Sequence, residues 1–162
     1  MQAIKINPFN QTIALIELDS DDLASIRQQL CWPEANIDVS YFDVFRLGGA
    51  DVFRFGETSS DVLFVDDEGL YQQNQMFFRV GSTPIAGIAL LVGTGADGDS
   101  INPTISLDQI NYLFSRHVFS WVPSAAQAFA ELTVATELAV TKAERAGHAV
   151  TRMPFGFITQ FN

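Results

Sequence analysis

Alternating apolar runs and turn residues at the start of the chain predict a β-hairpin followed by a helix. The apolar runs cover residues 3–6 and 12–18, and a proline and two asparagines lie between them at residues 7–10. Ser20 precedes two aspartates and is typical of a helix N-cap. Three apolar residues then recur at helical spacing before Pro33: Leu23, Ile26 and Leu30.

The middle of the chain is typical of short strands joined by glycine-marked turns. Runs rich in β-branched and aromatic residues predict strands at residues 37–47, 51–55, 61–65, 76–80 and 85–92. Glycines and acidic residues between these runs favour turns. Because short turns join consecutive strands as neighbours, we predict a β-meander. Residues 93–103 are polar and rich in glycine, which predicts a loop.

Helical patterns dominate the last third of the chain. Ser106 is a predicted N-cap, and an apolar stripe after it predicts a short helix: Leu107, Ile110, Leu113 and Phe114. Residues 118–122 fit a strand or a linker, and residues 124–146 predict the longest helix, which ends before Gly147. Apolar side chains nearly encircle this helix, so either the domain or a second copy of the chain should cover it: Ala125, Phe129, Leu132, Val134, Ala135, Leu138, Ala139 and Ala143.

These elements predict an α+β fold with a mostly antiparallel sheet, made of the N-terminal hairpin and the meander. Two to three helices are expected, including the long alanine-rich C-terminal helix. We expect a single domain over residues 1–162, with an α+β core at 1–122 and the long helix and tail at 123–162 docked on it. The tail is expected to dock because it carries four large apolar side chains: Phe155, Phe157, Ile158 and Phe161.

The charge of the chain is strongly acidic and unevenly distributed. Nineteen acidic and nine basic side chains give a net charge of −10 over 162 residues. Residues 1–100 carry fifteen acidic and five basic groups, whereas residues 101–162 carry four of each. Binding to nucleic acid or to an anionic membrane is therefore not expected, because both need clustered Lys and Arg. Acidity favours solubility, a basic protein partner or mimicry of nucleic acid.

Several sequence features point to a soluble, cytoplasmic protein. Cys31 is the only cysteine, which excludes an intramolecular disulfide and cysteine-rich zinc sites. Residues 1–6 do not have the pattern of a signal peptide, and the longest uncharged stretch, residues 80–96, is too short and too rich in glycine to span a membrane. We therefore expect no membrane association.

Motifs for known chemistry are weak or missing, so we expect no catalytic residue, cofactor or metal. The run from Gly93 to Gly98 has the spacing G-x-G-x-x-G, but the aspartates beside it would repel a phosphate, which favours a flexible loop. No G-x-S-x-G or G-K-[ST] motif occurs. His117 and His148 are far apart in the sequence and are expected to have surface or capping roles.

Four segments of the chain resemble a known set of proteins: Met1-Gln-Ala-Ile-Lys-Ile-Asn-Pro8, Tyr41-Phe-Asp-Val-Phe-Arg-Leu47, Val62-Leu-Phe-Val-Asp-Asp-Glu-Gly-Leu70 and Pro84-Ile-Ala-Gly-Ile-Ala-Leu-Leu-Val-Gly93. In this order they resemble an uncharacterised family of small proteins from phages, plasmids and other mobile elements. The resemblance covers residues 1–115 and not the C-terminal helix and tail. It implies an accessory gene of a phage, plasmid or environmental bacterium, and it implies no known activity.

The leading hypothesis is a non-enzymatic accessory protein that binds another protein, of basic character, through its acidic β region. The residues expected to contact that partner lie in two turns: Asp66, Asp67, Glu68, Asp97 and Asp99. One alternative is a metal-dependent enzyme or small-ligand sensor with a pocket between sheet and helix, in which these acids bind Ca²⁺ or Mg²⁺. A nucleic-acid-mimicking inhibitor is the other. The long helix and the tail also favour a homodimer over a monomer.

Overall fold

The computed structural model of the protein describes residues 1–19, 23–35, 39, 41–46, 61–153 and 156–160. Within them the helices are α1 (Leu23–Leu30), α2 (Leu107–Ser115) and α3 (Ala125–Arg145). The strands are β1 (Gln2–Asn7), β2 (Thr12–Glu17), β3 (Phe42–Arg46), β4 (Val62–Asp66), β5 (Phe77–Val80), β6 (Thr83–Ala86), β7 (Ala89–Thr94), β8 (Ser100–Ile101), β9 (Phe119–Trp121), β10 (Ala149–Met153) and β11 (Gly156–Gln160). Short 3-10 turns cover Pro33–Ala35 and Gly69–Tyr71.

An antiparallel sheet with the strand order β2-β1-β7-β4-β3 forms the centre of the fold, and β8 pairs with the end of β7. The register is fixed where Leu91 of β7 lies opposite Ile4 of β1 and Leu63 of β4. Apolar side chains from Ala89 to Val92 are buried on both faces of β7. A strand that is buried on both faces needs a covering layer on each side of its sheet. The central sheet has a covering layer on both sides.

The two faces of the central sheet are covered by different elements. Ile4 and Leu91 point to one face, where they pack with Phe78 of β5, Ile110 of α2 and Phe119 of β9. The alternate positions point to the other face, where α1 covers them: Ala3, Val62, Leu90 and Val92 with Ile26 and Leu30. This alternation follows from the two-residue period of a β-strand.

A second, three-stranded sheet has the order β6-β5-β9 and separates the central sheet from α3. Phe78 faces the central sheet, whereas its neighbour Phe77 faces outward and packs with Ala128 and Phe129 of α3. The Phe77 and Phe129 rings meet edge to face with centroids 5.4 Å apart. The predicted α+β class is confirmed, as are the N-terminal hairpin and the long helix.

The predicted meander is wrong in its connections. Residues 85–92, predicted as one strand, form the end of β6 and the start of β7, which belong to different sheets. Gly87 separates them with φ of +74°, a conformation that glycine adopts without strain. The predicted loop at 93–103 contains β8. The strand predicted at 51–55 lies outside the described residues.

Capping residues begin α2 and α3 and end α3. Ser106, a predicted N-cap, forms a reciprocal capping box with Gln109 at the start of α2, and the Ser124 Oγ accepts the Gln127 N–H at 3.2 Å in the first turn of α3. At the end of α3, Gly147 has φ of +82° and the His148 N–H donates to the Ala143 carbonyl at 3.0 Å. This is a Schellman motif, the common way of ending a helix at glycine. Ser20, predicted to cap α1, lies outside the described residues.

Within the described residues, helix α3 is covered on one side and exposed on the other. Ala128, Val140 and Ala143 are buried on the side of the helix that contacts the rest of the described fold, where β6, β10 and β11 lie against α3. On the opposite side, Val134 is 61% exposed and Leu138 is 68% exposed. Of the two alternatives that the sequence leaves open, the described part of the domain does not cover this face of the helix.

Candidate functional site

The acidic turn after β4 is held by a buried carboxylate. Asp66 is buried, its Oδ1 accepts the Glu68 backbone N–H at 3.0 Å, and its Oδ2 accepts from Gln72 Nε2 at 3.4 Å. Burial raises the pKa of the Asp66 carboxyl above its ordinary value. Asp66, which the sequence places among the partner contacts, therefore shapes the turn and presents little of its own surface.

Two exposed tyrosines lie beside the exposed acids of the same turn. The Asp67 N–H donates to the Tyr41 carbonyl at 3.4 Å, and the Tyr71 N–H donates to the Glu68 carbonyl at 2.9 Å. Asp67 and Glu68 are exposed, and Tyr41 and Tyr71 are 65% and 61% exposed. We call these residues the acidic–tyrosine turn: Tyr41, Asp67, Glu68 and Tyr71.

The second acidic turn stands at the other end of the central sheet. Asp97 and Asp99 are exposed in the turn between β7 and β8, where the Gly95 N–H donates to the Asp99 carbonyl at 2.8 Å. β7 runs antiparallel to β4, so this turn lies beyond Val62, whereas Asp66 closes the opposite end of β4. About 13 Å of strand, at about 3.3 Å per residue, separates the two ends.

One cation cannot be shared by these two turns, so that form of the metal hypothesis is wrong. Ca²⁺ and Mg²⁺ bind oxygens at about 2.0–2.6 Å, far less than the length of β4. Among the described residues, no three His, Cys, Asp or Glu side chains come together in a way that would hold a metal ion. The G-x-G-x-x-G spacing forms the tip of the β7–β8 hairpin and does not open a helix.

A groove of about 590 Å³ lies between α3 and the turn that joins β5 to β6. One wall is a row of small and apolar α3 side chains: Ala130, Val134, Ala135 and Leu138. Ser82 also lines the groove, and Arg79, Gln127 and Glu131 meet at one end of it. None of the acids that the ligand-sensor hypothesis assigns to a cation lines this groove.

An ion pair joins the second sheet to α3 at the polar end of the groove. Arg79 Nε donates to Glu131 Oε2 at 2.9 Å, and Arg79 Nη2 donates to Glu131 Oε1 at 2.6 Å. Arg79 Nη1 also donates to Ser120 Oγ at 2.9 Å, and Gln127 Nε2 donates to Glu131 Oε1 at 3.1 Å. The hydrogen bonds from Arg79 hold the pKa of the Glu131 carboxyl below its ordinary value.

Glu131→Gln is expected to lower the free energy of unfolding by about 1 kcal/mol at neutral pH, because a two-pronged but partly exposed ion pair is lost. Since the pKa of Glu131 is lowered in the folded protein, its carboxylate stabilises the fold fully above the ordinary value of 4.5. That stabilisation disappears as the pH falls through the lowered pKa. The free energies of unfolding of E131Q and wild type, measured with urea, should therefore differ at neutral pH and become equal in acid.

The control for this ion pair is Glu144→Gln, which changes the same charge on the exposed surface of the same helix. Its stability should follow that of the wild type at both pH values. If the free energies of unfolding of E131Q and wild type differ by the same amount in neutral and acidic solution, the carboxylate charge does not have the proposed role.

Sequence reasoning missed four residues of these two surfaces, for different reasons. Arg79 gave a local signal, because a charged residue between the apolar Phe78 and Val80 must find a partner. Glu131 gave none, since it lies 52 residues further along in a helix of ordinary composition. Tyr41 and Tyr71 become neighbours of the acids only through the β3–β4 pairing and the 3-10 turn.

Comparison with known proteins identifies no relative of this chain. The chain matches no protein-family model, no curated protein and no solved structure. Within the described residues, no helix combines the length and apolar character needed to cross a membrane.

Proposed function

We propose that this chain is a non-enzymatic binding protein that takes a basic protein segment at the acidic–tyrosine turn. The observation that carries the proposal is the exposure of Tyr41 and Tyr71, whose backbones are hydrogen-bonded to those of the exposed Asp67 and Glu68. Tyrosine is enriched at the energetic centres of protein interfaces. Carboxylates accept paired hydrogen bonds from arginine, whose guanidinium also stacks on aromatic rings.

The charge distribution supports a basic partner. Residues 1–100 carry fifteen acidic and five basic groups, and both acidic turns belong to this part of the chain. A strongly negative surface attracts a basic segment and speeds its encounter, in a way that salt weakens. Nucleic-acid mimicry would need a dense row of carboxylates, whereas the described acidic turns stand at opposite ends of a strand. We extend the proposal to a cytoplasmic accessory protein of a mobile element, on the resemblance given above.

A displayed library of random peptides, selected against the purified protein, provides a direct test. We expect enrichment of peptides rich in Arg and Lys, with a Kd that rises steeply with salt. Titration of the best peptide against Asp67→Lys/Glu68→Lys should show an affinity loss of at least about tenfold. The control is Asp97→Lys/Asp99→Lys, which alters net charge by the same amount at the other exposed turn.

The tyrosines allow a second comparison that leaves charge unchanged. Tyr41→Ala and Tyr71→Ala should each raise the Kd of the peptide by about fivefold or more, which is the usual effect of truncating an aromatic interface residue. Tyr112→Ala removes an equally exposed tyrosine from α2 and should bind like the wild type. The proposal fails if no basic peptide is enriched, or if the two charge-reversal variants lose affinity equally.

A further inference from the structure

We infer that a second copy of this chain covers the exposed face of α3, with the two α3 helices packed antiparallel. This surface is distinct from the acidic–tyrosine turn, so the inference goes beyond the proposed function. Val134 and Leu138 lie one helical turn apart, on the side of α3 opposite the buried Ala128, Val140 and Ala143. Two neighbouring large apolar side chains that are each more than half exposed are typical of a surface that binds a protein.

Charge favours another copy of the chain at this face. The net charge of −10 resides in residues 1–100, whereas residues 101–162 carry four acidic and four basic groups. Two copies that approach through the acidic part would repel each other strongly. The α3 face belongs to the neutral part, and the charges at the polar end of its groove already form the Arg79–Glu131 pair.

The spacing along the exposed face fits two helices that pack along their length, and an antiparallel pair covers its apolar residues. Its central positions alternate in steps of four and three residues, as in helices that pack along their length: Gln127, Glu131, Val134, Leu138, Thr141 and Arg145. A two-fold axis midway between Val134 and Leu138 places Val134 of one copy against Leu138 of the other. The apolar pair of each copy thereby covers that of its neighbour.

The charges on α3 are also self-complementary in this arrangement. Glu131 lies in the first half of the helix, whereas Lys142 and Arg145 lie in the last turn. Antiparallel packing keeps the basic last turns of the two helices apart, sets each beside Gln127 and the Arg79-paired Glu131 of the other, and opposes the two helix dipoles favourably. Parallel packing would instead set Glu131 against Glu131 and Lys142 against Lys142. One unfavourable interaction remains, because the two copies of Glu137 carry the same charge and both lie near the two-fold axis.

The size of the face sets the expected strength of the dimer. Helix α3 has 21 residues, which at about 1.5 Å per residue gives a length of about 31 Å. A single pair of helices of this length lies at the small end of specific interfaces, so we expect a Kd in the micromolar range.

Sedimentation equilibrium of the whole chain from about 1 to about 300 µM covers that range of Kd. The wild type should change from monomer to dimer across it, whereas Leu138→Lys should remain a monomer throughout. Leu15→Lys introduces the same change at an exposed leucine on the edge strand β2 and should dimerise like the wild type. Because both sites are exposed, circular dichroism should show an unchanged fold for both variants.

Cysteine cross-linking tests the direction of the helices. In a Cys31→Ser background, a mixture of Val134→Cys and Leu138→Cys chains should oxidise mainly to the mixed disulfide dimer. Faster formation of the two symmetric dimers would overturn the antiparallel arrangement. If the wild type stays monomeric over the whole concentration range, the inference that a second copy covers α3 is wrong. It is also wrong if L15K loses dimerisation and L138K keeps it.

Discussion

Replacing Asp61 by alanine is expected to lower the free energy of unfolding by about 3 kcal/mol, although the residue lies outside both proposed binding surfaces. Asp61 is almost fully buried immediately before β4. Its carboxylate accepts the backbone N–H groups of Thr104 and Ile105 at 2.8 and 3.0 Å and the Thr104 hydroxyl at 2.8 Å. Alanine would leave these donors without their acceptor in a site that water does not reach freely.

Urea unfolding of three variants separates the carboxylate from the side-chain volume. Asp61→Asn keeps the size and one acceptor oxygen, but its amide nitrogen faces donors, so we expect a loss of about 2 kcal/mol. Asp99→Ala removes an exposed carboxylate from the neighbouring β7–β8 turn and should change stability by less than about 0.5 kcal/mol. Equal stability of D61A and D99A would show that the Asp61 hydrogen bonds contribute nothing.

Asp61 also shows what the sequence could not supply. The residue is predicted as the first of an ordinary strand, whereas the hydrogen bonds that tie it to Thr104 and Ile105 join residues 43 and 44 positions apart. Asp66 is a second case, since its position in an acidic run predicts exposure while its carboxylate is used by the turn itself. Contacts of this kind depend on how the layers assemble, which no local pattern encodes.

Local features were predicted well because they are decided by neighbouring residues. The N-terminal hairpin, the capping serine Ser106 and the glycine that ends α3 all follow from interactions over a few positions. The acidic turn was predicted on the same basis. Its tyrosines were not, because Tyr41 reaches the turn only through strand pairing.

The division of strands between the two sheets was the largest error, and one glycine accounts for it. Residues 85–92 are continuously apolar apart from Gly87, so they resemble a single buried strand. The left-handed conformation of Gly87 turns the chain out of the second sheet and into the central one. An isolated glycine in such a run is compatible with a bend as well as with a strand, and only the packing decides between them.

Gly87→Val is therefore expected to lower the free energy of unfolding by about 3 kcal/mol, from a backbone and a packing contribution. A β-branched residue is strained at φ of +74°. In addition, a Cβ at this position would lie 3.2 Å from Gln75 Nε2 and 3.3 Å from Oε1. Gln75 is buried and cannot yield easily, because its Nε2 donates to the Gly69 carbonyl at 2.8 Å and its Oε1 accepts the Met76 N–H.

Gly98→Val measures the backbone contribution alone. Gly98 has φ of +88°, and a Cβ there would meet nothing within 4 Å. We expect G98V to lose about 1.5 kcal/mol in urea unfolding, and the excess loss in G87V then reports the contact with Gln75. Equal losses would mean that Gln75 moves aside at no cost. In that case the left-handed backbone of Gly87, and not the buried glutamine behind it, would be what keeps β6 and β7 in separate sheets.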